Sequence, residues 1–464
     1  VRPDKANGVR ASAIEGYCSR QSLKAGETLD IIVSTAPAAR FTIEILRTGY
    51  YGGEGARLMT KLGPFEGKTQ PVPTMGEKRL MECQWEPCTT LKIPADWPSG
   101  VYLGRLTTIP EVRSAGFSPS SERPEVRTAS ELPYWQNYII FIVKDDRPSD
   151  ILLQCSDNTW QAYNKWPENT SLYTDPRGAH ARGVAASFNR PYGKCPQIFE
   201  NPQTFGSGEW LCFEFPVAYW LEQQGYDETY CSNSDCLDPA QITRCKAFLS
   251  IGHDEYWDVR QYHATKAAIE QGVNVWWLTG NAVGSVTPFS DGLRTIERTG
   301  HYSGMSNEEV ENARKVFTED RQRTGPDETL IIGARTVIPF NGGGDWTCTK
   351  PEHWLFEGTG MKKGDSIPGL VGWEHHGAPA KIPGLEVIAE GTVWAGGATP
   401  SHCTATVFPG PKGNFVFNAA TIWWAQGLSS PPGHMLPWSH FSKPHGPDPR
   451  VQRITANALK RALA

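Results

Sequence analysis

The chain has 464 residues, longer than one ordinary hydrophobic core, which points to two domains. Charged residues make up 20% and the net charge is −5 with no like-charged run, which argues against nucleic acid and against a polybasic membrane patch as partners. No apolar stretch reaches the roughly 18–20 residues needed to cross a bilayer, and the opening VRPDKANGVR does not read as a signal peptide.

From Leu29 to Ile45 apolar residues alternate with polar ones, as Leu29/Ile31/Val33 and Phe41/Ile43/Ile45, the period of strands that bury one face. Glycines and the Trp97-Pro98-Ser99-Gly100 turn punctuate these runs, so residues 1–147 are expected to form an all-β, immunoglobulin-like sandwich. The Ser/Pro-rich stretch 114–130 reads as a long exposed loop, residues 138–143 as the last strand, and residues 144–148 as a linker. After it the period changes to buried apolar runs alternating with helix-like segments, the pattern of a parallel sheet.

Expected strands cover 151–153, 247–251, 273–278 and 415–418. Expected helices cover 215–224, stopped by Gly225, the segment from Asp258 to Gly272, and an amphipathic tail over 450–463. Residues 148–464 therefore read as an α/β parallel-sheet domain of the flavodoxin or glutamine-amidotransferase type, with insertions over about 284–400. Eleven cysteines include the close groups Cys83/Cys88 and Cys231/Cys236/Cys245, without zinc-finger spacing. The expectation is disulfides in an oxidising compartment, hence a secreted or periplasmic location, with one thiol left over.

Ligands of open α/β sheets bind beyond the carboxyl ends of the strands. Three such ends carry polar, aromatic loops: Ser156 to Asn164, Gly252-His253-Asp254-Glu255-Tyr256-Trp257, and Thr279-Gly280-Asn281. In an extended segment His253 and Glu255 share a face, and a helix starting here would favour an ionised Glu255 through its dipole. A plainer reading also stands for this turn alone, with Asp254 or Glu255 capping a helix and Tyr256/Trp257 packed in the core.

Trp160-Gln161-Ala162-Tyr163-Asn164, Ser171-Leu172-Tyr173, Ser187 to Tyr192, Gly252 to Trp257, Gly280-Asn281-Ala282, Gly369 to Glu374 and Val451 to Thr455 occur in order. Together they resemble the large (beta) subunit of N,N-dimethylformamidase and its relatives over most of 148–464. Arg47 to Gly53 and Trp97 to Tyr102 resemble the β-rich module that precedes that core. The resemblance implies an iron amidohydrolase with one Fe(III) on Tyr163, Tyr173 and Glu255, catalytic His253, substrate-binding Asn281 and a second active-site glutamate at Glu374. It also implies an amide-like small-molecule substrate, and self-association or a small accessory subunit as partner. A lysine used by the family has no clear counterpart; Arg298 and His301 occupy its region.

Two phenolates and a carboxylate are hard donors whose charge balances Fe(III), and His253 has the pKa for moving a proton. Two further readings come from other classes. One is an extracytoplasmic carbohydrate-binding protein with a cleft built from its seventeen tryptophans. The other is a glycoside hydrolase using Glu255 and Glu374 as acid and base. His375-His376 suggests a metal pair only weakly, since adjacent side chains diverge, and Asn341 to Asp345 lacks the lysine of a phosphate loop.

Overall fold

The computed structural model describes residues 8–10, 12–110, 134–175, 184–195, 197–198, 201–290, 292–302, 323–396 and 400–464. The Ser/Pro-rich stretch 114–130 lies outside the described residues. At the front, two sheets pack face to face. One is six-stranded and built around Tyr134–Lys144, Gly100–Thr108, Arg40–Thr48 and Ala56–Glu66; the other joins Ile14–Cys18, Thr28–Thr35 and Pro87–Lys92. The two alternating triplets, Leu29/Ile31/Val33 and Phe41/Ile43/Ile45, all point into the layer between the sheets. Each such aliphatic side chain contributes about 1.5–3 kcal/mol when fully buried.

The outer face of the six-stranded sheet is buried too. Val101, Leu103, Ile140 and Ile142 join the same core as Ile151, Leu153, Trp210 and Phe215 of the following α/β body. Arg47 fastens this contact, pairing with Glu222 at 2.7 Å and donating to the Ser99 carbonyl, while the Tyr50 amide donates to the other Glu222 oxygen at 2.7 Å. The Arg47 to Gly53 motif is thus a clamp on the Glu214–Gln224 helix.

The body is a nine-stranded mixed sheet. Its parallel half runs Glu228–Ser232, Ser149–Cys155, Cys245–His253, Asn274–Gly280, Phe415–Asn418. Ser401–Pro409, Glu386–Trp394, Gly343–Cys348 and Ser366–Val371 continue it in alternating direction. The wholly parallel sheet expected from the sequence is therefore corrected to a mixed one. Three of these strands come from the stretch 284–400 that read as insertions. Their burial is partial and broken by bulges, so they lack the continuous apolar runs that reveal parallel strands.

Successive side chains serve opposite layers. Leu249, Trp276 and Leu278 face the Glu214–Gln224 and Pro449–Leu463 helices, while Phe248, Val275 and Trp277 face Val259–Gln271. Both inner helices end on left-handed glycines, Gly225 at φ 79° and Gly272 at φ 104°. The tail helix buries Val451, Ile454, Ala458 and Leu459, a single stripe. No helix among the described residues is long and apolar enough to cross a membrane.

The expected disulfides are not formed: all eleven cysteines are free. Cys231 and Cys236 come closest, but their sulfurs are 3.5 Å apart, well beyond the roughly 2.05 Å of a bond. Cys88 and Cys245 instead donate to the carbonyls of Ile31 and Ile242, and most of the others fill the core as small hydrophobes.

Candidate active site

Three parallel strands deliver polar residues to one sheet edge. Ser149–Cys155 leads into the short helix Asp157–Ala162 with Tyr163 at its end, Cys245–His253 ends on His253, and Asn274–Gly280 is followed by Asn281. A fourth contributor comes from the antiparallel half. Four reversals, from Phe415–Asn418 through Ser401–Pro409, Glu386–Trp394 and Gly343–Cys348 to Ser366–Val371, return that last strand to the parallel direction, so its carboxyl end brings Glu374 to the same edge.

Asn281 and Glu374 are held together by backbone. The Asn281 amide donates to the Glu374 carbonyl at 2.6 Å, and both residues are left-handed, at φ 44° and 57°. Such conformations cost of order 1–3 kcal/mol each and persist only where surroundings enforce them. Gly280 permits the approach, since a Cβ there would lie 2.7 Å from the Glu374 carbonyl oxygen. The helix after this turn begins at Val259, capped by Asp258, so neither Asp254 nor Glu255 caps it and its dipole does not bear on Glu255.

Buried Arg190 shapes the loop between the two tyrosines. It donates to the Trp166 carbonyl at 2.6 Å and the Gln161 carbonyl at 2.9 Å, which accounts for the Ser187 to Tyr192 motif. Leu172 donates to Ala162 at 3.0 Å, bringing Tyr173 back over Tyr163, and their rings stack at 4.7 Å and 3°. Glu255 receives the Tyr163 hydroxyl at 2.7 Å on one oxygen, and the Tyr173 hydroxyl at 3.3 Å and the Ser285 hydroxyl at 3.1 Å on the other. The Tyr173 hydroxyl also touches that of Tyr256, and the Arg298 guanidinium lies 5.2 Å from the centre of the Tyr173 ring.

His253 lies behind this trio. Its Nε2 is 2.5 Å from one Glu374 oxygen and 3.5 Å from Glu255, yet neither approach has the alignment of a hydrogen bond, so both ring nitrogens and that Glu374 oxygen are buried without an aligned partner. Burial pulls the His253 pKa down, but Glu374 and then Glu255 outweigh it and raise it to about 9. Burial, reinforced by Glu374, lifts the Glu255 carboxyl, and burial, reinforced by Glu255, lifts the Tyr163 phenol well above its usual range. Removing the phenol protons therefore calls for a cation among these oxygens.

The donors suit one. Oxygen ligands at right angles about 2.0–2.1 Å from a small hard ion sit about 2.9 Å apart, close to the spacings between the two phenols and Glu255. His253, Glu255 and Glu374 form a second, overlapping group that could hold a metal, with ligand atoms all within 4.8 Å of one another. In front lies a cavity of about 530 Å³ lined by Tyr163, Tyr173, Glu255, Asn281, Arg298 and Glu374, with Arg335, Phe340 and His440 across from them.

The family model described as N,N-dimethylformamidase beta subunit-like, C-terminal matches residues 42–437, well over half of the chain. The chain belongs to this family. Its match begins inside the front sheets, so the family's sequence signature spans the clamp at Arg47 as well as the sheet edge with the candidate site. No curated protein matches the sequence.

All six residues singled out within the family resemblance, Tyr163, Tyr173, His253, Glu255, Asn281 and Glu374, meet at this edge. His375 and His376 do not share a site: His375 meets Ser401 at 2.8 Å, whereas His376 meets Asn418 at 2.8 Å and accepts from the Ala282 amide at 3.1 Å. Eight of the seventeen tryptophans, Trp210, Trp257, Trp276, Trp277, Trp346, Trp373, Trp423 and Trp424, are core and so line no cleft. Glu255 and Glu374 approach within 4.8 Å with His253 against both, closer than the roughly 5–9.5 Å of glycosidase acid–base pairs. Sequence reasoning missed Tyr256, Ser285 and His440. Tyr256 adjoins Glu255, but nothing local marks His440, which arrives from the far end of the chain.

Proposed function

We propose that this protein is an iron-dependent hydrolase of an amide or related C–N bond. The observation that carries the reading is the meeting of two phenols and one carboxylate, at 2.7 and 3.3 Å, beside a buried histidine–glutamate pair and an open cavity. Tyr163, Tyr173 and Glu255 hold Fe(III), and His253 and Glu374 remain for proton transfer. When bound there, iron supplies Lewis acidity for the amide carbonyl and lowers the pKa of water.

In its neutral form, His253 Nε2 takes the proton of the attacking water and returns it to the leaving nitrogen, yielding acid and amine. Glu374, 2.5 Å away, balances the imidazolium in between. Asn281 orients the carbonyl. Its oxygen accepts from Thr336 at 3.0 Å, which turns its amide hydrogens toward the substrate. The fixed Asn281–Glu374 backbone contact keeps the orienting and proton-handling groups in register.

The test is hydrolysis of a panel of small amides by iron-loaded protein, scored by amine release. Activity that is lost in Glu255→Gln together with the iron supports the reading. Undiminished activity in that variant, or no amine release from any amide by iron-replete protein, contradicts it.

A further inference from the structure

A second hollow lies beside the catalytic cavity. It encloses about 560 Å³, and the same two chain segments build both. Phe340, Asn341 and His440 face the cavity, while Gly343 to Asp345 and Phe441 to Lys443 face the groove. The two hollows therefore lie within a few residues of each other on both segments.

The groove exposes two large aromatic side chains in a protein that buries most of its tryptophans. Trp394 is 57% exposed and Phe441 73%. Phe441 is held in that position. Its backbone is left-handed at φ 63°, and its ring rests on Gly396, where a Cβ would come within 3.1 Å of it. The floor is low because Gly343 and Gly344 have no room for side chains, with a Cβ meeting Ser442 at 2.7 Å and the Thr392 carbonyl at 2.3 Å respectively. Around these rings the walls are polar: Asp345, Thr347, Ser366 and Lys443.

Fixed aromatic platforms with a rim of hydroxyl, carboxylate and ammonium groups match a pyranose, whose ring has an apolar C–H face and a hydroxyl edge. Thr347 and Ser366 bond each other at 2.8 Å and Asp345 accepts from the Gly369 amide at 2.8 Å, so the groups left for a hydroxylated ligand are the second Asp345 oxygen and the Lys443 ammonium, which an alkyl chain or bare aryl group would desolvate without replacing. We infer that this groove is a sugar subsite, so that the amide cleaved next door is carried by a carbohydrate, of the N-acyl amino sugar class. The amide half of this statement rests on the function proposed above; the sugar half rests on the groove alone.

The experiment uses iron-loaded full-length protein and an N-acetylated glucosamine trisaccharide as probe. Calorimetric titration is expected to show binding that weakens about tenfold or more in Trp394→Ala and in Phe441→Ala, and much less in Trp394→Phe, which keeps a ring. The ratio of kcat/KM on the acetylated trisaccharide to that on a small amide is expected to fall by the same factor. Both side chains are exposed, and circular dichroism verifies that the variants fold. No binding by the wild-type protein, or equal binding by all variants, overturns the subsite. So does sedimentation showing that the rings instead join two copies of the chain. Hydrolysis of small amides without trisaccharide binding refutes the subsite and leaves the hydrolase reading standing; ring-dependent trisaccharide binding without hydrolysis of any amide does the reverse.

Discussion

Tyr163→Phe separates a metal ligand from a core tyrosine. The substitution removes one oxygen and leaves the ring stacked on Tyr173 at 4.7 Å. In iron-free protein it deletes a 2.7 Å hydrogen bond to buried Glu255, while Tyr173 and Ser285 go on donating, a cost of about 1.5–3 kcal/mol for a bond to a charged group. Each protein's iron-free melt already contains that cost, so the increment that iron adds is read against each protein's own iron-free stability. At a free iron concentration one hundred times the dissociation constant, binding stabilises the wild type by about 2.7 kcal/mol. If loss of a ligand oxygen weakens binding about a hundredfold, the same iron stabilises the variant by only about 0.4 kcal/mol. Thermal melts of both proteins, each with and without iron, read this difference of differences. An iron-induced increment that is unchanged in Tyr163→Phe refutes Tyr163 as a ligand, however much the variant itself is destabilised.

Other perturbations test neighbouring parts of the account. His253→Ala should lower kcat by about 10²–10⁴-fold while keeping iron, measured by turnover and metal content on one preparation. Gly280→Ala drives a Cβ to 2.7 Å from the Glu374 carbonyl and should cost about 1–3 kcal/mol in denaturant melts together with activity; a neutral effect would show that the Asn281–Glu374 contact is not tight. Glu222→Gln should destabilise by roughly 3–5 kcal/mol by leaving buried Arg47 without its carboxylate, a loss that Arg47→Met in the same chain should partly recover. Burial raises the Glu214 pKa from 4.5 to about 8, so the native state holds this proton more tightly than the unfolded chain. The resulting stabilisation is complete below pH 4.5 and is lost as pH rises through about 8; Glu214→Gln should therefore gain on the wild type across that window in melts at a series of pH values, and parallel curves would contradict the shift.

The legible parts of this fold are those where local pattern and burial agree. Phe415–Asn418 is a strand over the very residues expected, Cys245–His253 contains its expected core and Asn274–Gly280 all of its own but Val273, because both of their faces are apolar. Gly225 and Gly272 end helices where only a left-handed residue fits. Ser366–Val371 was hidden because its burial alternates irregularly around a bulge and its partners are far away in sequence. The same distance explains the site. Tyr163, His253, Glu255 and Asn281 sit on successive strand ends and follow from topology, whereas Glu374 and His440 reach the cavity only through the antiparallel extension and the C-terminal loop. Cysteine spacing misled because proximity along the chain does not set sulfur geometry, and Cys231 and Cys236 show it at 3.5 Å.

The most direct test of the metal centre is iron content measured together with the optical spectrum of the purified protein. Phenolate ligation predicts about one iron per chain and a visible absorption band that fades in Tyr173→Phe. Folded, iron-saturated protein without such a band contradicts ligation by the two tyrosines and favours His253, Glu255 and Glu374 as the binding group.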